Sequence, residues 1–189
     1  MFRKYSKKFF TLTESLTADV VLAGRDPSAT FSKMMNARRT LANAELTVLL
    51  TVAEAVLMLH KTNHWTAKSE SSFGDHQLYG VLYSKLADDV DQIGERIVGL
   101  GSDAGVDAHD RAEGIAMILQ EMYAPHGVAQ ADSLAERSLA AEFFLNRICD
   151  LVIKSMKDIG TMTSGLENLL QNFSDNRERA IYHLRRRTS

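Results

Sequence analysis

The chain holds 189 residues, of which 45% are apolar and 24% charged, with two prolines and a single cysteine. That length suits one domain with a packed core, and a formal net charge of -2 supplies no bulk attraction for a polyanion. Cys149 standing alone excludes an intrachain disulfide and any Cys-rich zinc or iron–sulfur centre, and it fits a reducing, cytoplasmic compartment. No uninterrupted apolar run approaches the roughly 20 residues that cross a bilayer. The opening MFRKYSKKFF is basic but lacks the apolar centre of a secretory signal.

Residues 1–38 are the least regular stretch and are expected to form a basic extension outside a domain spanning 39–189. Arg3, Lys4, Lys7 and Lys8 precede the first acid, Glu14, and are interleaved with Phe2, Tyr5, Phe9 and Phe10. Three readings stand side by side: phosphate contacts with DNA, an anchor on a membrane surface or another protein, and a solvated tail.

From Arg39 to Thr66, Leu46, Leu49, Leu50, Ala53, Val56, Leu57 and His60 follow three-and-four spacing, which predicts a first long helix. A second stripe, Leu78, Leu82, Leu86, Val90, Ile93, Ile97 and Leu100, runs to Gly101, a helix stop. A long connection follows, in which Arg111–Tyr123 is expected as a short extra helix. Ser133-x-x-Glu136 reads as a capping box opening a third long helix, with Phe144, Ile148, Val152 and Met156 on one side. Ser164-x-x-Glu167 reads the same way for a fourth, carrying Leu166, Leu170, Phe173, Ile181 and Leu184. No run alternates with period two. Four long amphipathic helices with one crossover between the second and third predict an all-α four-helix bundle, a connectivity that the ferritin-like fold shares with other bundles.

The residues with chemistry to offer are His64, His76, Asp91 and Glu95. Imidazole and carboxylate together suit divalent iron, zinc or manganese. Asp91 and Glu95, four apart, project from one helical face. His64 ends the first helix and His76 starts the second, so a short turn can bring the rings together. Taken singly, each is an ordinary helical residue; only the combination carries weight. His76 and Asp91 lie 15 residues apart on one predicted helix, about 22 Å at ~1.5 Å per residue. Bonds to a transition metal are about 2 Å long, so the two cannot hold one ion within a chain. Either they are unrelated, or the imidazoles of one subunit meet the carboxylates of another across a twofold axis.

The stretch His64-Trp65, then His76, then Asp91-Gln-Ile-Gly-Glu95-Arg96-Ile97, ending in Gly-Leu-Gly, resembles the Dps family, the DNA-protection-during-starvation miniferritins. The resemblance implies a hollow shell of twelve subunits. Its ferroxidase centres would lie at twofold interfaces, oxidising ferrous iron with hydrogen peroxide or oxygen and passing ferric iron to a mineral core. His64 and His76 would then be iron ligands from one subunit, and Asp91 and Glu95 from its partner. Trp65 is similar to the tryptophan beside the family's centre. Basic tails of some members bind DNA, which gives Arg3, Lys4, Lys7 and Lys8 as candidate contacts and a nucleoid-associated location. Two positions depart from the pattern: Gly80 and Gln77 stand where many members carry acids, which weakens the second iron position. His60, one turn before His64, is a candidate compensating ligand.

No Glu-x-x-His motif occurs, which argues against a di-iron site inside one bundle. Met34, Met35, Met117, Met122, Met156 and Met162 read as core filler. His109, His126 and His183 have no acidic partner at convincing spacing. The rival to a ferroxidase is a structural or DNA- or protein-binding shell with weakened oxidation chemistry.

Overall fold

In the computed structural model, the described residues are 26–38, 43–68, 72–125, 127–131 and 133–188. They form six α-helices: α1 Pro27–Arg38, α2 Ala44–Thr66, α3 Ser72–Gly99, α4 Ala108–Tyr123, α5 Leu134–Asp158 and α6 Ser164–Thr188. Two short 3-10 turns, Asp103–Val106 and Val128–Gln130, flank α4, and there is no strand among the described residues. The expected all-α bundle with a helix inside its long crossover is therefore present.

Local chemistry sets most helix ends. Gly101 (φ 82°) and Gly160 (φ 72°) take the left-handed conformation that terminates α3 and α5. At each, the next N–H reaches back five residues, Ser102 to the Ile97 carbonyl and Thr161 to the Met156 carbonyl, satisfying orphan acceptors. Asp107 caps α4 by accepting from the N–H groups of His109 and Asp110. Ser133 and Glu136 form the expected capping box. The second expected box is corrected: Thr163, not Ser164, caps α6, its Oγ1 accepting from Leu166 N–H at 3.3 Å. Glu167 instead ion-pairs with Lys157 at 2.7 Å across the α5–α6 turn.

Cross-helix contacts fix direction and register. Glu45–Ser155, His60–Glu142 and Asn63–Ser138 run in opposite order along α2 and α5, so these helices are antiparallel. Asp75–Arg187 and Asp89–Arg177 show the same for α3 and α6. Buried Leu46, Leu49, Val56, Leu86, Ile93, Ile97, Leu145, Ile148, Val152, Leu166, Leu170 and Phe173 fill the space between the four long helices.

The first half of α2 is buried on every side, from Ala44 to Val56. Its outer face is covered by α4 and α1. Arg111 of α4 pairs with both carboxylate oxygens of Glu54, and on α1 Met34 is fully buried. Glu121 of α4 accepts from Thr30 and Lys33 of α1. Residues 27–38, grouped by the sequence with the basic extension, thus pack on the bundle. Arg3, Lys4, Lys7 and Lys8 lie outside the described residues.

Candidate metal centre

The α2–α3 turn brings His64 and His76 together as expected. Their rings stack with centroids 3.7 Å apart and planes 25° from parallel. His64 Nδ1 lies 2.7 Å from the His76 carbonyl, and His76 Nδ1 lies 3.0 Å from the His64 carbonyl. A carbonyl only accepts, so each Nδ1 carries the hydrogen, and Nε2 is the nitrogen whose lone pair a metal would take from the neutral ring. A backbone carbonyl on the second ring nitrogen is the usual support for a metal-binding histidine. Gly80 borders this arrangement: a Cβ there would sit 3.4 Å from Cε1 and Nδ1 of His64, in contact with the ring. Tyr83 closes the other side with an edge contact at 5.2 Å.

Asp91 and Glu95 lie far along the same uninterrupted helix, about 22 Å and about 28 Å from His76 at ~1.5 Å per residue. Both are exposed. They border a shallow cavity of about 510 Å³ whose wall includes Gly94, Val98 and Arg111. One chain therefore does not bring the imidazole pair and the carboxylate pair together. Both pairs face outward, however, and helical spacing puts Phe73, His76, Asp91 and Val98 on one side of α3. Phe73 is 75% exposed and Val98 45%, and Trp65 on α2 is 67% exposed with Lys61 over its ring.

His60 is not with the other imidazoles. It is wholly buried, with Nε2 2.7 Å from Glu142 and Nδ1 3.3 Å from Ser138 Oγ. Both nitrogens are engaged in the bundle core, which corrects the expectation of an accessory ligand beside His64. Glu142 also accepts from Arg177, which in turn reaches Asp89 at 2.8 Å. Burial pushes the Asp89 carboxyl above its usual range, opposed by the Arg177 charge beside it. Sequence reasoning missed this junction, although a signal was there. Asp89 falls between Leu86 and Ile93, Glu142 precedes Leu145 and Cys149, and Arg177 follows Phe173, each at a core position of its stripe.

Contrary to the sequence expectation, His109 has acidic partners: Asp110 and Glu113 place carboxylates 3.9 Å from its two ring nitrogens. All three are exposed on the first turns of α4. Cys149 is buried, its Sγ lies 3.7 Å from the Leu170 carbonyl, and desolvation pushes its thiol up to about 12. No helix among the described residues is long and apolar enough to cross a membrane.

No family model and no curated protein matches the sequence. Solved structures do match the fold. DpsC from Streptomyces coelicolor superposes with a TM-score of 0.65 at 20% identity, covering 78% of this chain and 83% of its own. The Dps protein from Vibrio cholerae O1, described as a member of a broad superfamily of ferritin-like diiron-carboxylate proteins, gives 0.62 at 16% identity over 88% and 94%. Dps from Thermosynechococcus elongatus gives 0.62 at 16% identity over 81% and 95%. The chain is therefore built on the ferritin-like helical fold of the Dps proteins.

Proposed function

We propose that this protein is a Dps-like ferroxidase and iron-storage protein, with His64 and His76 of one subunit facing Asp91 and Glu95 of its partner. The observation that carries the reading is the His64–His76 clasp, which engages Nδ1 of both imidazoles and leaves Nε2 of each for a metal. A twofold axis crossing α3 near Ser84, midway between His76 and the acids, would bring each imidazole pair to the partner's carboxylates and create two equivalent sites. Phe73 and Val98 would be buried by the same pairing, which favours association of exposed apolar surface.

Ferrous iron is the substrate. Neutral nitrogens supply binding without charge, and the two carboxylates favour the ion more strongly as its charge rises. Two ferrous ions would give two electrons to one peroxide, whose O–O bond breaks to yield two waters with two protons taken up. Ferric product would collect inside a hollow shell of twelve subunits, removing the reagents that damage DNA. Arg3, Lys4, Lys7 and Lys8, repeated over such a shell, would hold DNA by many weak contacts. Gly80 and Gln77 favour a second reading, a shell with weakened oxidation chemistry, because neither supplies a carboxylate beside the imidazoles.

Mixing tests the composite site. His76→Ala and Asp91→Ala chains should each lose peroxide-driven iron oxidation. When unfolded together and reassembled, they should recover about a quarter of wild-type activity, since random pairing restores one site in each mixed pair. No recovery, with shells assembled normally, would sink the inter-subunit site. Wild-type oxidation no faster than buffer would favour the shell without chemistry.

A further inference from the structure

All four long helices contribute to one buried polar cluster: His60 from α2, Asp89 from α3, Glu142 from α5 and Arg177 from α6, with Ser138 of α5 on the far side of the His60 ring. Their side chains are at most 5% exposed. Glu142 Oε1 lies 2.7 Å from His60 Nε2 and 3.0 Å from Arg177 Nη1, while Arg177 Nη2 lies 2.8 Å from Asp89 Oδ2. One imidazole and two carboxylates are a donor set that divalent cations take. The guanidinium sits between the carboxylates, where such a cation would sit.

Charge and hydrogen bonding both favour that comparison. Two carboxylates face one guanidinium, so removing Arg177 would leave two negative charges in the core, the number that a divalent cation balances. Arg177 Nε is buried and has no hydrogen-bond partner, so the guanidinium is imperfectly matched to its cage. A polar cavity of about 240 Å³ between α3 and α6 has Asp89 in its wall, together with Lys85, Gln92, Asn176 and Arg179, so the junction borders it through Asp89.

We propose that this junction is a divalent-cation site plugged by the Arg177 guanidinium, and that Arg177 is the residue that keeps metal out of the bundle core. His60 Nε2, Glu142 and Asp89 would be the protein ligands once the plug is removed, with water completing the shell. The inference does not depend on the inter-subunit site. Its test is therefore made in chains carrying His76→Ala, Asp91→Ala and His109→Ala, which take a ligand from each exposed group that cobalt could use.

With Co²⁺ as the probe, the visible ligand-field spectrum and equilibrium dialysis should show no core ion while Arg177 is present. Adding Arg177→Ala should create one bound Co²⁺ per chain, and adding Glu142→Gln should abolish it. A folded Arg177→Ala chain that binds no Co²⁺, or binding that survives Glu142→Gln, overturns the proposal. If Arg177→Ala leaves the chain unfolded, Co²⁺ should restore its helical circular dichroism, and Arg177→Met, which keeps more of the buried volume, should show the same one-to-one uptake. Failure of Co²⁺ to bind or refold either variant overturns it equally.

Discussion

His64 and His76 hold each other by their backbones: each imidazole Nδ1 meets the other residue's carbonyl, at 2.7 and 3.0 Å, with the rings stacked between. The clasp costs neither ring its Nε2. It also makes the α2–α3 turn part of the candidate centre, because a change in the path of either helix end would release both bonds together.

Gly80 is the simplest probe of the clasp. Gly80→Ala places a methyl in contact with the His64 ring at 3.4 Å and removes a mid-helix glycine. It should preserve Zn²⁺ affinity and raise stability by up to about 1 kcal/mol, from helix propensity. Gly80→Val adds γ-methyls where the ring lies and should lower affinity about 10–100-fold, the usual cost of losing a metal ligand's supporting hydrogen bond. Calorimetric titration with Zn²⁺, paired with thermal melts, checks both. Equal affinities in wild type and Gly80→Val would show that the ring's position is not what counts.

The core junction makes a stability prediction. Glu142→Ala leaves Arg177 facing only Asp89 and strips His60 of its Nε2 partner, all inside the bundle. Breaking a buried charged pair from one side costs about 3–5 kcal/mol. Glu142→Gln keeps an oxygen for Arg177 and should cost less. Urea unfolding at fixed protein concentration measures the two. Similar, small losses for both would mean that the junction is hydrated rather than dry.

Tyr79 predicts behaviour at high pH. Burial, and then the nearby Asp75 charge, push its phenol up from 10.0 to about 12, with Arg187 opposing. Between those values the unfolded chain has released the proton and the folded chain has kept it. Fewer protons on the unfolded state mean stability falls as pH rises through that window. Tyr79→Phe has no proton to lose and should keep its stability further into the alkaline range. Denaturation midpoints measured against pH, alongside tyrosinate absorbance, check it. A parallel alkaline decline in both chains would assign the loss to other groups.

The four long helices, the crossover helix, the Gly101 stop and the Ser133 box were legible because they depend on residues a few positions apart. Thr163 took the place expected of Ser164 because a one-residue shift in a cap leaves the same local pattern. His60 shows the other limit. Its position on the apolar stripe was visible, but its partner Glu142 lies 82 residues away on another helix. Met34 is buried as its core-filler reading expects, but the helix that carries it is grouped with the extension in the sequence because its anchor, Glu121, lies far along the chain.

Helical rise is fixed by backbone geometry, so the sequence by itself determined that His76 and Asp91 stand about 22 Å apart and cannot hold one ion within a chain. Only the tertiary structure decided which ring nitrogens are tied to carbonyls, and that His60, Asp89, Glu142 and Arg177 meet in the core. Those contacts arise where faces of different helices pack. No periodicity within one helix specifies which partner its buried charge will find.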